Sequence, residues 1–300
     1  MNEYLNKNKK IAAIIFGLIN VSLAYLSSYY LIFAFFIPIF TAIKLWELDD
    51  KNKIIFLFTS GLFSSIMNME LTIYILFPMI IYGNFLYDLI KGNKTDKFSL
   101  KVLTIIMSVL SLAIIGYLYH KYDIKIVELT KEFEKIISKQ NIKIENKMIE
   151  NSLKTIPSFV IIFSLIYSLI SLKLVRNYLN FKYKNIRDLR KINSFRIVPK
   201  DLIIIFISLI VAIIICKLLK LSNEFIILNL IVTLKSIFVL NGAFLLDYYI
   251  SFKKSKVSKV INWFFIFLLF TYISEAIALV GILDIFINLR KKVRVAWKKN

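Results

Sequence analysis

The chain has 300 residues, of which 58% are hydrophobic, and a formal net charge of +21 at pH 7. So high an apolar content with only seven glycines and four prolines excludes an ordinary soluble domain. A single cysteine, Cys216, excludes disulfides and cysteine metal sites; the lone His120 lies at a predicted helix end, so no cofactor is expected.

Uncharged apolar runs recur along the chain and predict an all-α fold, a polytopic bundle of transmembrane helices. A bilayer core of roughly 30 Å takes about 20 helical residues, and strands with unpaired backbone groups are excluded from it. The runs cover residues 11–43, 54–69, 71–87, 102–119, 155–172, 202–216, 225–234 and 260–274.

The basic residues are concentrated between these runs. Twenty-nine of the 40 lie in six segments, whereas residues 121–154 carry eight bases and six acids. This distribution predicts cytoplasmic basic loops and one large external segment, and it argues against nucleic-acid binding, which needs a basic stripe on a folded domain. The six segments are residues 7–10, 44–53, 91–101, 173–200, 253–259 and 290–299.

Alternation between these cytoplasmic loops requires hairpins. The run 11–43 is expected to turn near Ser27 and Ser28, and the run 54–87 near residues 67–70. Ten spans with both termini in the cytoplasm fit the charges best; eight are the alternative if one or two short hairpins are re-entrant.

Three consecutive segments follow from this topology. N-terminal transmembrane helices occupy residues 1–119, an external segment covers 120–154, and C-terminal transmembrane helices fill 155–300 with the basic loop 173–200 and a basic tail. Apolar residues in the external segment recur every three or four positions, from Ile126 to Ile137, and predict an amphipathic helix. This helix is interpreted either as a lid or as a helical loop resting on the lipid surface.

Charge inside a predicted span marks the candidate site. Lys235 is the one charged residue between Glu224 and Asp247, in a segment long enough to cross a membrane. A charge at a helix centre costs about 2.5–3.5 kcal/mol on insertion scales and usually has a role. Glu275 is the preferred partner of the ammonium group, with Glu70 as second choice.

Two further residues complete this site. Gly242 falls on the same helix face as Lys235, where it would leave room beside the ammonium, and Asn229 lies on a second polar face. A helix that is polar on two faces is expected to lie centrally in the bundle. Lys235, Glu275, Asn229 and Gly242 are therefore interpreted either as a pocket for a small-molecule ligand or as a buried ion pair that fixes helix register.

The arginines form a separate group, since all six lie within residues 176–196 and 290–294. Arginine makes bidentate contacts to phosphate and carboxylate that lysine does not. The functional interpretation is docking of a membrane or cytoplasmic protein partner or of anionic headgroups, and the alternative is plain anchoring of the topology. The candidate docking residues are Arg176, Arg187, Arg190, Arg196 and Arg290.

No catalytic constellation is visible in the sequence. It has no phosphate-binding glycine loop, no paired histidines for a metal and no nucleophile elbow around a serine. An enzyme is therefore not expected.

Four stretches of the second half share a recognisable pattern: "TIPSFVIIFSLIYSLISLKLVRNYL", "FRIVPKDL", "LNLIVTLKSIFVLNGAFLL" and "ALVGILDIFINLRKK". With them the chain resembles the YybS-like family, a domain of unknown function in multi-pass membrane proteins of low-GC Gram-positive bacteria, over roughly residues 150–294. Asn288 departs from the acid expected at its position. The marks of the resemblance are Arg196, Pro199, Asn229, Gly242, Gly281, Asp284 and Arg290.

The resemblance implies a multi-pass protein of the bacterial cytoplasmic membrane with no assigned activity. It also implies a distant similarity to the substrate-binding subunits of energy-coupling-factor vitamin importers. Two hypotheses follow: a small-molecule-binding transport component, or a non-transporting membrane scaffold or regulator of cell-envelope physiology.

Overall fold

A computed structural model describes residues 2–123, 125–139, 145–184, 186, 194–218, 221–251, 256–268 and 270–291. Within these residues the regular structure is helical, and they contain no strand. The helices are α1 (Asn2–Ser27), α2 (Phe36–Glu47), α3 (Asp50–Met67), α4 (Met69–Leu71), α5 (Phe77–Lys91), α6 (Asp96–Lys121), α7 (Ile126–Ser138), α8 (Asn146–Lys154), α9 (Ile156–Tyr183), α10 (Pro199–Leu218), α11 (Asn223–Ser251), α12 (Lys256–Leu268) and α13 (Phe270–Ile287). A 3-10 helix, Leu31–Phe35, precedes α2, and a π-helical segment, Thr72–Leu76, joins α4 to α5.

The turns expected from the sequence are present. α1 ends at Ser27, and α3 ends at Met67 with Asn68 starting the next helix. The amphipathic helix expected from Ile126 is α7, so that prediction is also confirmed.

Short polar side chains set several of these boundaries. The Asp49 carboxylate accepts a hydrogen bond from the Asn52 amide at 3.0 Å, and the Asn68 side chain accepts one from the Leu71 amide at 3.0 Å. Such caps satisfy amide groups that have no partner inside the helix. The chain can therefore reverse direction at these points without leaving backbone donors unpaired.

Among the described residues, five helices are long and apolar enough to cross a membrane. The all-α, multi-pass membrane architecture predicted from the sequence is confirmed, whereas the count of eight to ten spans and the cytoplasmic termini stay predictions. The five are Asn8–Ser27, Met69–Lys91, Asp96–Lys121, Ile156–Tyr183 and Asn223–Ser251.

The helices group by contact into two compact units. The first contains Met1–Tyr122 and Phe163–Leu189, and the second contains Asp123–Ile162 and Arg190–Asn300. α9 therefore begins in the second unit and continues in the first. The division of the sequence into the segments 1–119, 120–154 and 155–300 stays a prediction.

Glycines and small polar residues bring the helices of the first unit together. A Cβ atom on Gly17 would lie 2.7 Å from Cβ of Thr59, and one on Gly83 would lie 2.9 Å from Cβ of Thr41. Asn20 donates a hydrogen bond to the hydroxyl of Thr41 at 3.0 Å. Small residues that allow close backbone approach are the usual means of packing helices in a membrane.

A buried tyrosine fixes α9 against α5 in the same unit. Tyr82 is fully buried, and its hydroxyl lies 3.1 Å from the Ser168 hydroxyl and 2.9 Å from that of Ser171. Tyr167, on the same helix as the serines, donates to the carbonyl of Phe35 at 2.7 Å. These hydrogen bonds satisfy hydroxyl groups that would be costly to leave unpaired in hydrocarbon.

Candidate functional site

The candidate site lies in the second unit, where α11 and α13 run side by side in the same direction. Lys235 contacts Glu275, and six residues later Asn241 contacts Gly281. Residue numbers therefore rise together along the two helices, so the helices are parallel. Gly242 marks the point of closest approach: a Cβ atom there would lie 2.1 Å from the carbonyl oxygen of Ile277. The backbones of the two helices therefore meet directly at this level.

The glycine of α13 completes the crossing. A Cβ atom on Gly281 would lie 2.1 Å from the carbonyl oxygen of Phe238 and 2.8 Å from the amide nitrogen of Gly242. Gly242 therefore does not leave a space beside the Lys235 ammonium, as its position on the helix face had suggested. It is needed because the neighbouring backbone occupies that space.

Lys235 and Glu275 meet on the rim of this helix pair. Lys235 Nζ lies 3.0 Å from Glu275 Oε1, so the preferred partner of the sequence analysis is the one the structure brings to the lysine. The side chains are 46% and 79% exposed. The pair thus lies open on one side rather than enclosed in the centre of the bundle, because two backbones in contact leave no room between them for long side chains.

Glu70, the second-choice partner, is occupied elsewhere. It lies in the first unit, where Oε1 accepts a hydrogen bond from Lys121 at 2.7 Å. Lys121 closes α6 and also contacts the hydroxyl of Tyr74 at 3.3 Å. This ion pair lies at a helix end, unlike that of Lys235 and Glu275.

Asn229 joins three helices at one point. Its Oδ1 accepts hydrogen bonds from the Ser158 amide at 3.1 Å and the Ser158 hydroxyl at 2.7 Å, and its Nδ2 donates to the Lys154 carbonyl at 2.8 Å. Ser158 is in the first turn of α9 and Lys154 ends α8, so both backbone groups lack a partner within their own helix. Thr233, one turn later on α11, donates to the Ser158 hydroxyl at 3.1 Å. We refer to this set of residues as the Asn229 clamp.

Removing the side-chain amide by Asn229→Ala is expected to lower the free energy of unfolding by about 1–3 kcal/mol, because backbone groups of α8 and α9 lose their partners. Asn229→Asp keeps the acceptor for Ser158 but loses the donor to Lys154, and should fall between wild type and Asn229→Ala. Thermal unfolding in detergent measures the series. If Asn229→Ala were no less stable than Thr233→Val, the clamp would not be what holds this junction.

A buried charged cluster lies further along the same helix pair. Asp284 is fully buried; its Oδ2 lies 3.1 Å from Nε of Arg290 and 3.8 Å from Nε of Arg196. Its other oxygen, Oδ1, is buried and accepts no hydrogen bond from the part of the chain that the structure describes. Two guanidinium groups, one buried and one partly exposed, thus share a carboxylate that is itself fully buried.

The arginines of this cluster also bind main-chain carbonyls. Arg196 donates to the carbonyls of Asp284 at 2.9 Å and Ile285 at 2.7 Å, in the last turn of α13. Arg290 donates to the carbonyl of Phe195, which precedes α10. A cation at a helix C-terminus satisfies carbonyls without an intrahelical partner and interacts favourably with the helix dipole.

Asn241 connects the cluster to α11. Its Oδ1 accepts from the Ile197 amide at 3.1 Å, and its Nδ2 donates to the Gly281 carbonyl at 2.8 Å. Arg290 also lies 3.3 Å from the Asn241 carbonyl. We call Arg196, Asn241, Asp284 and Arg290 the arginine latch, since they hold residues 195–198 against α11 and α13.

The latch changes the interpretation of the arginines expected to dock a partner. Arg290 is 6% exposed, and its guanidinium is used inside the second unit. Arg176 is 2% exposed and pairs with buried Asp96 in the first unit. The structure therefore places these groups in internal networks and not on an exposed docking surface. Arg187 and Arg190 lie outside the described residues.

Sequence reasoning missed Asn241 and Asp96, which complete these networks. Asp96 had a signal, because it is an acid at the start of a span and follows the Thr95 cap. Asn241 directly precedes Gly242 and carried no signal of its own. Among the described residues, no group of three or more His, Cys, Asp or Glu side chains could hold a metal ion.

Comparison with known proteins identifies the family. None of the curated proteins matches the chain, and none of the solved structures does. A family model described as "Predicted membrane protein (DUF2232)" matches residues 11–285, which include α11 and almost all of α13. The chain belongs to this family of predicted membrane proteins, DUF2232.

Proposed function

We propose that this protein is a small-molecule-binding component of a transport system in the bacterial cytoplasmic membrane. A charged small molecule is recognised at Lys235 and Glu275. The observation that carries the proposal is an ion pair halfway along a membrane-spanning helix, left open on one side. In this role the chain binds without catalysing a reaction.

The depth of Lys235 supports the proposal. The residue lies 12 positions after the start of α11 and 16 before its end. These separations correspond to about 18 Å and about 24 Å along the helix. A lysine stem spans only a few ångströms, so with α11 centred in a bilayer core roughly 30 Å thick the ammonium would not reach either interface.

The exposure of the pair supports it further. An ammonium group has three donors, and one of them is directed at Glu275. Facing lipid, the exposed remainder of both ions would be poorly solvated, because hydrocarbon supplies neither water nor hydrogen-bond partners. A polar ligand or a water-filled opening beside the pair removes that cost, as at the midplane sites of transporters.

A second candidate function is a membrane scaffold or regulator of the cell envelope that transports nothing. The arginine latch favours it, since a buried network of this kind fixes helix packing without any ligand. In that case Lys235 and Glu275 would only set the register of α11 against α13.

The test compares Lys235→Met, Glu275→Gln and the double variant by thermal unfolding, with and without the dialysable small-molecule fraction of a cell extract. We expect the single changes to alter stability by about 1 kcal/mol or less, as for partly exposed pairs. A ligand present at a hundred times its Kd would stabilise wild type by about 2.7 kcal/mol, and this gain should disappear in the variants.

Lys121→Met and Glu70→Gln provide the matched control, because they remove an ion pair at a helix end in the first unit. These variants should keep the ligand-induced gain. If each change at Lys235 or Glu275 destabilised the protein and the double variant restored stability, the pair would be a structural bridge and the scaffold would be the better account.

A further inference from the structure

The apolar side of α7 is only partly covered by the described chain: Ile126, Leu129 and Ile137 are half-buried. Its stripe runs along one side of the helix, with charged residues opposite. None of the five stripe residues is buried, and Phe133 and Ile136 are 45% and 56% exposed. A lid packed on the protein would bury this stripe. The stripe consists of Ile126, Leu129, Phe133, Ile136 and Ile137.

α8 packs against α7 without burying the apolar stripe. The two helices pack together, and each contributes one buried residue, Thr130 from α7 and Ile149 from α8. Met148, next to Ile149, is 62% exposed. The helical hairpin of α7 and α8 therefore leaves the apolar side chains of Phe133, Ile136 and Met148 exposed.

The base of this hairpin is fixed at one membrane boundary of the second unit. α8 ends at Lys154, and α9, a membrane-spanning helix, begins two residues later at Ile156. The Asn229 clamp ties that junction to the first turns of α11, a second spanning helix. The hairpin thus emerges where two spans leave the lipid, which places the apolar stripe beside the lipid surface.

The charges of the hairpin indicate which force would hold the stripe at a membrane. Residues 123–154 contain seven lysines and six acids, so the segment is nearly neutral. Lys154 pairs with Glu150 at 2.8 Å and Glu224 at 3.3 Å, and these hydrogen bonds raise the pKa of Lys154. Attraction to the membrane must come from apolar burial, since little net charge remains to attract anionic headgroups.

We propose that α7 lies in the plane of the membrane surface with its apolar stripe inserted into lipid. Helices of this kind bury their apolar face about 5–10 Å into the boundary between headgroups and acyl chains. The occupant of the stripe is therefore lipid, not another protein and not the mouth of a pocket. This inference does not depend on the role of Lys235.

The single cysteine of the chain makes a direct test possible. In a Cys216→Ser background, one nitroxide spin label is attached at Phe133→Cys or Ile136→Cys on the stripe, and at Lys131→Cys or Lys135→Cys on the opposite side. The protein is reconstituted into phosphatidylcholine vesicles. Collision rates with oxygen, which concentrates in lipid, and with a water-soluble nickel chelate are compared for each label.

We expect the ratio of oxygen to nickel collisions to be several-fold higher at positions 133 and 136 than at 131 and 135. Adding anionic phosphatidylglycerol should leave this difference unchanged. Equal ratios on the two sides would place the stripe in water and overturn the proposal. Labels at 133 and 136 that neither reagent reaches would show that protein covers the stripe, and a contrast that requires anionic lipid would show an electrostatic contact; both results also overturn it.

Discussion

Gly242→Ala is expected to destabilise the protein by about 3 kcal/mol, at the upper end of the range for overpacked positions. The added methyl group would lie 2.1 Å from the Ile277 carbonyl oxygen, a backbone atom that cannot move alone. α11 and α13 must therefore separate, which loosens both the Lys235–Glu275 pair and the arginine latch. Thermal unfolding in detergent measures the loss.

The matched controls are Gly61→Ala and Gly116→Ala. Both glycines are in helices, and a Cβ atom at either position meets nothing within 4 Å. In these variants the free energy of unfolding should rise by roughly 0.5–1 kcal/mol, since alanine restricts the unfolded chain and favours the helix. Gly281→Ala should lower stability by about as much as Gly242→Ala. The loss in the double variant should be smaller than the sum of the two single losses, because both changes separate the same pair of helices. If the Gly242→Ala protein were as stable as the controls, the backbones of α11 and α13 could not be in direct contact at Gly242.

Asp284→Asn is expected to lower the free energy of unfolding by about 3–5 kcal/mol, because it removes the buried carboxylate that the guanidinium groups of Arg290 and Arg196 share. The replacement keeps the shape of the side chain, so the loss reports charge and hydrogen bonding and not a cavity. Residues 195–198 should at the same time become accessible to protease, since Arg196 and Arg290 hold them. Thermal unfolding and limited proteolysis measure the two effects.

Asp50→Asn is the control, because it makes the same replacement of a carboxylate by an amide at an exposed ion pair. Its carboxylate is 92% exposed and lies 2.7 Å from Lys53, so its loss should cost 1 kcal/mol or less. Arg290→Met combined with Asp284→Asn should cost less than the sum of the two single changes, because one stranded charge is removed. Strict additivity would indicate that Asp284 and Arg290 do not act on each other.

Much of the helix order could be predicted from hydropathy and charge, because both act locally along the chain. Apolar runs of sufficient length placed the spans, and the breaks near Ser27 and at residues 67–70 followed from runs too long for one helix. The partner of Lys235 was also predictable, because few acids lie within apolar segments and Glu275 is one of them.

The tertiary roles could not be predicted, because they depend on what approaches from another helix. Gly242 was interpreted as space for the ammonium, and only the position of α13 shows that a backbone fills that space. Arg176 and Arg290 were assigned to a surface because arginine suits phosphate. Arg176 instead meets the buried carboxylate of Asp96, 80 residues earlier in the chain, and Arg290 meets that of Asp284, six residues earlier.

The parallel arrangement of α11 and α13 has a consequence for biosynthesis. Glu275 is made 40 residues after Lys235, which takes about 2–8 s at roughly 5–20 residues per second. During that interval the ammonium enters the membrane, or waits beside it, before its carboxylate partner has been made. Arg290 is made later still, so residues 195–198 are held only after translation has passed α13. The whole of α11 is therefore synthesised before its native neighbour α13 exists.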